Sequence, residues 1–253
     1  KTQIKFLRQK VLLTFVYSLL NRKKRFPRSI SWGSKEVKQD FNHLLLLDFE
    51  ATCQAESKLE PQEIIEFPCL ALSTKDWKVK NVFHKYIAPR IHPELTPFCT
   101  DLTGIFQDMV KGEPHFPEVF QQFCNWLNEH GYFKDDNKCA FVTCGDWDLR
   151  VMLPSQCALD GITVPECFKK WINLKQSFCD ATSYYPRSLK NMLAQLNIEL
   201  KGKLHSGIDD VENMAQIVRN LSSNYDINFK ITSTPEIFKG TFRVLNENKK
   251  QIY

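Results

Sequence analysis

The sequence predicts an α/β fold: one mixed five-stranded sheet flanked by helices on both faces. Three observations lead there. Leu44-Leu45-Leu46-Leu47 is an unbroken apolar run of the kind found in a strand covered on both faces. Two further strand-like runs follow it closely. Beyond about residue 116 the apolar period lengthens to that of helices, which alternate with short strands.

The elements follow in order. Ile64 through Leu72 and Val79 through Ile87 read as strands, with turn chemistry near Lys75-Asp76, so the first three strands form an antiparallel meander. Phe116-Pro117-Glu118 opens a helix whose stripe of Phe120, Phe123, Cys124 and Leu127 stops at Gly131. Cys139 to Thr143 is a fourth strand, with a helix beginning near Trp147, and Ile172 to Leu174 a short fifth. Ser188 to Leu196 is a helix, and Ile208, Val211, Ala215, Val218 and Leu221 mark a last amphipathic one.

With 253 residues and 43% apolar composition the chain can bury one substantial core, and 25% charged residues with nine glycines exclude a fibrous or wholly disordered chain. The net charge of +5 is uneven. Residues 1–40 hold eleven Lys/Arg against Glu36 and Asp40, a local +9, which leaves residues 41–253 at −4. That division sets a basic extension over 1–40 apart from a folded body, taken as 41–231 with a tail over 232–253. Such an arm attracts nucleic acid or an anionic surface, or is simply solvated. Val11 to Leu20 is an apolar run too short to span a membrane, so no stable membrane insertion is expected. The acid-free stretch from Lys1 to Arg28 fits a mitochondrial presequence better than a secretory signal. Nine cysteines without a Cys-x-x-Cys pair lack zinc spacing and suit small core residues of a reducing compartment, in the cytoplasm or nucleus.

Three segments carry candidate chemistry. Asp48 and Glu50 end the buried first strand and point to the same face. Two carboxylates held close repel unless a cation is shared, and hard Mg²⁺ or Mn²⁺ suits their oxygens. Taken alone, Asp-x-Glu is common and is often a solvated strand end. Gly145-Asp146-Trp147-Asp148 lies at a strand-to-helix junction, where α/β folds place functional groups, though either aspartate can instead cap the helix. In His205-Ser206-Gly207-Ile208-Asp209-Asp210, Ser206 is a candidate N-cap with Asp209 as its capping-box acid. His205 then precedes the helix, Asp210 sits in its first turn, and both reach one point; otherwise His205 is an ordinary loop residue. Four carboxylates and a histidine suit phosphodiester hydrolysis with two divalent ions, the histidine acting as base.

These segments, together with Glu63-Ile64-Ile65-Glu66-Phe67-Pro68 and Leu102-Thr103-Gly104-Ile105, resemble the DEDDh 3′→5′ exonucleases of the histone-mRNA 3′-end exonuclease (enhanced-RNAi) family. Within it the stretch from Trp147 to Pro154 is most similar to the prion-protein-interacting member and the insect exonuclease Snipper. The resemblance spans about Leu44 to Leu221. It implies a ribonuclease-H-like fold and release of 5′-mononucleotides from a free 3′ end, either of RNA or of RNA and DNA both. It assigns Asp48 to both metal ions, Glu50 and Asp210 to the nucleophile-side ion, Asp148 to the second and His205 to the base. Leu102, Thr103, Gly104 and Ile105 would cradle the 3′-terminal nucleotide, with Ala51, Thr52 and Trp147 beside it. The alternatives are a DNA repair or proofreading exonuclease of the same fold and a non-catalytic nucleic-acid-binding adaptor.

Overall fold

The computed structural model describes residues 37–57 and 59–235. The basic arm with its apolar run, and the tail beyond residue 235, lie outside them. Among the described residues no helix is long and apolar enough to cross a membrane.

The sheet contains β1 (His43–Leu47), β2 (Glu50–Ala51), β3 (Ile64–Ser73), β4 (Val79–Tyr86), β5 (Cys139–Thr143) and β6 (Trp171–Asn173). β3 runs antiparallel to β1 and β4, giving the expected meander, while β5 and β6 add parallel strands beyond β1. Six strands stand against five expected. The extra one is β2, which pairs with β3 in the same frame as β1: Leu47 faces Cys69 and Glu50 faces Glu66. β1 and β2 are thus one strand interrupted at Asp48 and Phe49. In that frame Asp48 faces Pro68, which has no N–H to offer the ladder. The Phe49 N–H instead goes to Asp148 Oδ1 at 2.9 Å.

The apolar run of β1 is explained by its two covered faces. Leu45 and Leu47 enter a core with Phe67, Phe123, Phe141 and Trp171, and Leu44 and Leu46 enter a second core with Val142, Ile172, Met214 and Val218. All four leucines are fully buried, each contributing about 2 kcal/mol of transfer free energy. Helices α1 (Pro97–Thr103) and α2 (Gln107–Val110), which the sequence pattern did not reveal, follow β4. α3 (Phe116–Glu129) buries the stripe of Phe120, Phe123 and Leu127 against the first core. The helix expected near Trp147 begins as a π-helical turn, Asp148–Met152, that continues into α4 (Leu153–Leu159). Such turns recur where a helix must aim a functional residue. On the second face lie α5 (Leu174–Thr182), α6 (Leu189–Leu196) and α7 (Gly207–Tyr225).

Contacts of the body also involve residues on either side of 41–231. Gln39 Nε2 donates to the Ile227 carbonyl, and Ser233 forms a bridge with Trp171 beside β6.

Candidate active site

Asp48 leaves the end of β1, Glu50 lies in β2, Asp148 opens the π-helical turn after β5, and Asp210 stands in the first turn of α7. The strand order puts β5 directly beside β1, so the ends carrying Asp48 and Asp148 are adjacent. Asp148 is anchored by the Phe49 N–H, not spent as a helix cap, and Asp146 accepts from Trp171 Nε1 at 3.0 Å and Ser233 Oγ at 2.7 Å. The capping alternative for this segment is thereby set aside.

Four acids crowded into a partly dehydrated corner all have their pKa values raised. Asp48 is raised well above the ordinary carboxylate range by burial first, then by the charges of Asp148, Glu50 and Asp210. Burial, followed by the charge of Glu66, pushes Glu50 up to about 9. Asp148 and Asp210 each rise to about 6, again chiefly through burial. Desolvation disfavours the ionised form, and neighbouring like charges add to it.

His205 sits immediately before α7 with φ +64°, a left-handed conformation uncommon outside glycine. Its N–H donates to Asp210 Oδ2 at 3.0 Å, which holds the turn in place. Among the described residues Glu50, His205 and Asp210 bring one donor atom each within 4.8 Å of one another. The other oxygen of Asp210, Oδ1, is buried and has no hydrogen-bond partner. Unpaired buried carboxylate oxygens are costly. A hard cation satisfies such an oxygen and offsets the repulsion among its neighbours, so these donors fit divalent metal ions.

The start of α7 corrects one expectation. Ser206 occupies the N-cap position, but its hydroxyl makes no capping bond. Asp209 accepts from the Lys203 N–H at 2.8 Å and braces the preceding loop instead of closing a capping box. The helix is capped by Glu66 of β3, which accepts from the Gly207 N–H at 2.9 Å and the Ile208 N–H at 3.2 Å. A Cβ on Gly207 would meet the Asp48 carbonyl at 2.8 Å and Pro68 Cγ at 2.9 Å, so only glycine lets the helix approach this closely. Glu66 was not singled out from sequence, although a charged residue within ten consecutive buried strand positions was a usable signal.

The expected substrate-side residues divide. Trp147 is 39% exposed and lines a cavity of about 430 Å³ with Gln62, Val151 and Ser155. Leu102 is half-buried at the end of α1, and Gly104, with φ +80°, ends that helix. Lys203 Nζ reaches across from the His205 loop to the Asp101 carbonyl at 2.7 Å. Ala51, Thr103 and Ile105 are buried. The Thr103 hydroxyl donates to the Cys99 carbonyl and accepts from the Ile105 N–H. Thr52 is likewise bonded inward, accepting from the Glu63 N–H at 2.9 Å. These four shape the wall behind the exposed surface.

The exonuclease family model RNase_T matches residues 45–218. The chain belongs to this exonuclease family. ERI1 exoribonuclease 3 of Homo sapiens is 46% identical over 198 residues, 78% of this chain and 58% of the relative. ERI1 exoribonuclease 2 of Danio rerio is 37% identical over 80% of this chain and 39% of the relative. The chain therefore spans less than two thirds of the length of these relatives. Among solved structures, the nuclease domain of 3′hExo, a DEDDh family member bound to rAMP, has a TM-score of 0.72 and 33% identity, covering 78% of this chain and all of that one. A 3′-exonuclease described with a histone mRNA stem-loop matches with a TM-score of 0.72, 32% identity and coverage of 78% and 88%. The ribonuclease-H-like fold and the DEDDh relationship expected from the motifs stand.

Proposed function

We propose that the protein is a 3′→5′ exonuclease that removes 5′-mononucleotides from RNA with a free 3′ end, using Mg²⁺ or Mn²⁺. The observation that carries this reading is the convergence of Glu50, His205 and Asp210 around an unpartnered buried carboxylate oxygen, with Asp48 and Asp148 adjoining. Exoribonuclease relatives and a nuclease-domain neighbour bound to rAMP support RNA as the substrate class.

Asp48 would hold both ions, Glu50 and Asp210 the nucleophile-side ion and Asp148 the second. When bound, the ions would activate water, neutralise charge building at phosphorus and steady the leaving 3′ oxygen. The remaining work belongs to the chain. His205, exposed at the cluster's rim, takes the proton of the attacking water, and its tie to Asp210 keeps the ring's backbone from drifting. Leu102, Gly104 and Trp147 present apolar surface on which the terminal nucleotide is positioned, with Thr103 and Ile105 supporting it from behind.

Incubation with 5′-labelled single-stranded RNA, single-stranded DNA and 3′-overhang duplexes tests the reading. Metal-dependent stepwise shortening is expected, fastest on RNA. Full activity in excess chelator, or internal cuts in a circular strand, would overturn it, and a clear preference for DNA would reassign the substrate to repair or proofreading.

A further inference from the structure

We propose that Glu66 is a positioning residue of this active site: one buried carboxylate that sets the start of α7, and with it His205 and Asp210, against the strand end carrying Asp48 and Glu50. The inference rests on the exonuclease reading and extends it to a residue that touches neither substrate nor metal.

The first ground is that both Glu66 oxygens are already occupied. The side chain is 1% exposed, in a strand where every residue is buried. Oε2 accepts from the Gly207 N–H at 2.9 Å, and Oε1 accepts from the Ile208 N–H at 3.2 Å and lies 2.8 Å from His84 Nε2. An acid so bonded is not a spare metal ligand. It supplies acceptors to two backbone N–H groups at the head of a 19-residue helix, whose own turns cannot satisfy them and whose dipole favours negative charge there.

The second ground is where this contact lies. Glu66 faces Glu50 across the β2–β3 ladder, so the residue that caps α7 is also the partner of a cluster acid. A Cβ on Gly207 would stand 2.8 Å from the Asp48 carbonyl and 3.1 Å from Glu66 Oε2, so helix head, strand end and carboxylate are in mutual contact. A displacement of Glu66 therefore moves His205 and Asp210 relative to Asp48 and Glu50. Positioning errors of about 1 Å can lower turnover about 10²-fold. Glu66 is also the foremost charge acting on Glu50, adding to the negative field that draws cations into the site.

Glu66→Gln and Glu66→Asp separate geometry from charge. Gln keeps the volume but places an NH₂ where the site offers donors; Asp keeps the charge but retracts it by one methylene. Both variants are expected to lose about 10²-fold in kcat on a single-stranded RNA oligonucleotide, with KM within about threefold, because the hydrogen bonds of Glu66 go to the head of α7 and to His84 and not to the α1 cradle. Mn²⁺ titrated calorimetrically without substrate should bind Glu66→Gln about tenfold more weakly. Its melting temperature should move little, since losing a helix cap and relieving repulsion on Glu50 act in opposite directions. His84→Gln, altered at the half-exposed end, should show a smaller kcat loss with unchanged KM, and it decides the matter if neither Glu66 variant folds. Wild-type kcat and Mn²⁺ affinity in Glu66→Gln would overturn the proposal, as would full activity in Glu66→Asp or a kcat loss matched by an equal rise in KM. A wild type that binds Mn²⁺ but cuts nothing would sink the exonuclease reading instead, leaving the effect of Glu66→Gln on metal affinity still measurable.

Discussion

Melting the metal-free protein at stepped pH reads the acidic cluster without substrate. Asp148 and Asp210 both rise from 3.8 to about 6 on folding, chiefly through burial. Between about pH 4 and 6 the folded state thus keeps protons that the unfolded chain has shed, and stability falls as pH rises through that window. Each shift of about two units is worth about 3 kcal/mol at most. Because the acids share one dehydrated corner and titrate together, about 3 kcal/mol for the pair is the better figure. Glu50, lifted to about 9, extends the slope above neutrality. Asp76, held down to about 2 by its Lys80 hydrogen bond, changes charge below the window and does not mask it. For a domain near 200 residues, 3 kcal/mol corresponds to a melting temperature lower by about 6–12 °C at pH 8 than at pH 4.5. Mg²⁺ or Mn²⁺ at about 100 times its dissociation constant returns about 2.7 kcal/mol and nearly cancels the loss. Scanning calorimetry with chelator and with metal gives both curves. An apo melting temperature that is flat or rises from pH 4.5 to 8 would refute the buried-acid account, as would a slope below pH 6 that Asp148→Asn together with Asp210→Asn leaves undiminished.

Asp48→Ala should abolish turnover yet raise the apo melting temperature by a few degrees near pH 8, because it removes one of several mutually repelling acids; turnover and melting measured on one preparation check both. His205→Ala should lower kcat by about 10² to 10⁴ while leaving calorimetric Mn²⁺ affinity nearly unchanged, as expected of a proton acceptor; weakened affinity would instead make His205 a ligand beside Glu50 and Asp210, whose donor atoms lie within 4.8 Å of its own. Removing residues 1–28 should weaken RNA binding without altering sequence preference. The slope of log affinity against log salt should shallow by about 0.7 for each phosphate the arm addresses, as measured by fluorescence anisotropy.

How much of this was legible in the sequence depended on whether the cause was local. Leu44 to Leu47 announced a strand covered on both faces, and the structure divides those leucines between two cores. The stripe of Phe120, Phe123 and Leu127 announced α3 in the same way. Asp48 and Glu50 were readable as a same-face pair because strand periodicity alone puts them there, even though the strand breaks between them. The short helices α1 and α2, seven and four residues long, carry too few turns to display a period, so nothing around Leu102 to Ile105 announced a helix.

The start of α7 shows where local reading fails and why. Ser206 and Asp209 have the spacing of a capping box, a signal confined to four residues. The structure instead gives the helix a cap from Glu66, 141 residues away along the chain from Gly207. The distant carboxylate prevails because it satisfies two helix N–H groups at once and is itself relieved of the penalty for burial, whereas a Ser206 hydroxyl would have satisfied one and left Glu66 with His84 but without its two backbone donors. With Glu66 in place, Asp209 is free to brace Lys203, and Gly207 becomes necessary because strand end and helix head now touch. A charged side chain inside a run of ten buried strand residues is therefore the sequence's own pointer to this site. It names no partner, but it requires some, and among the described residues these include His84 and the helix head beside His205 and Asp210.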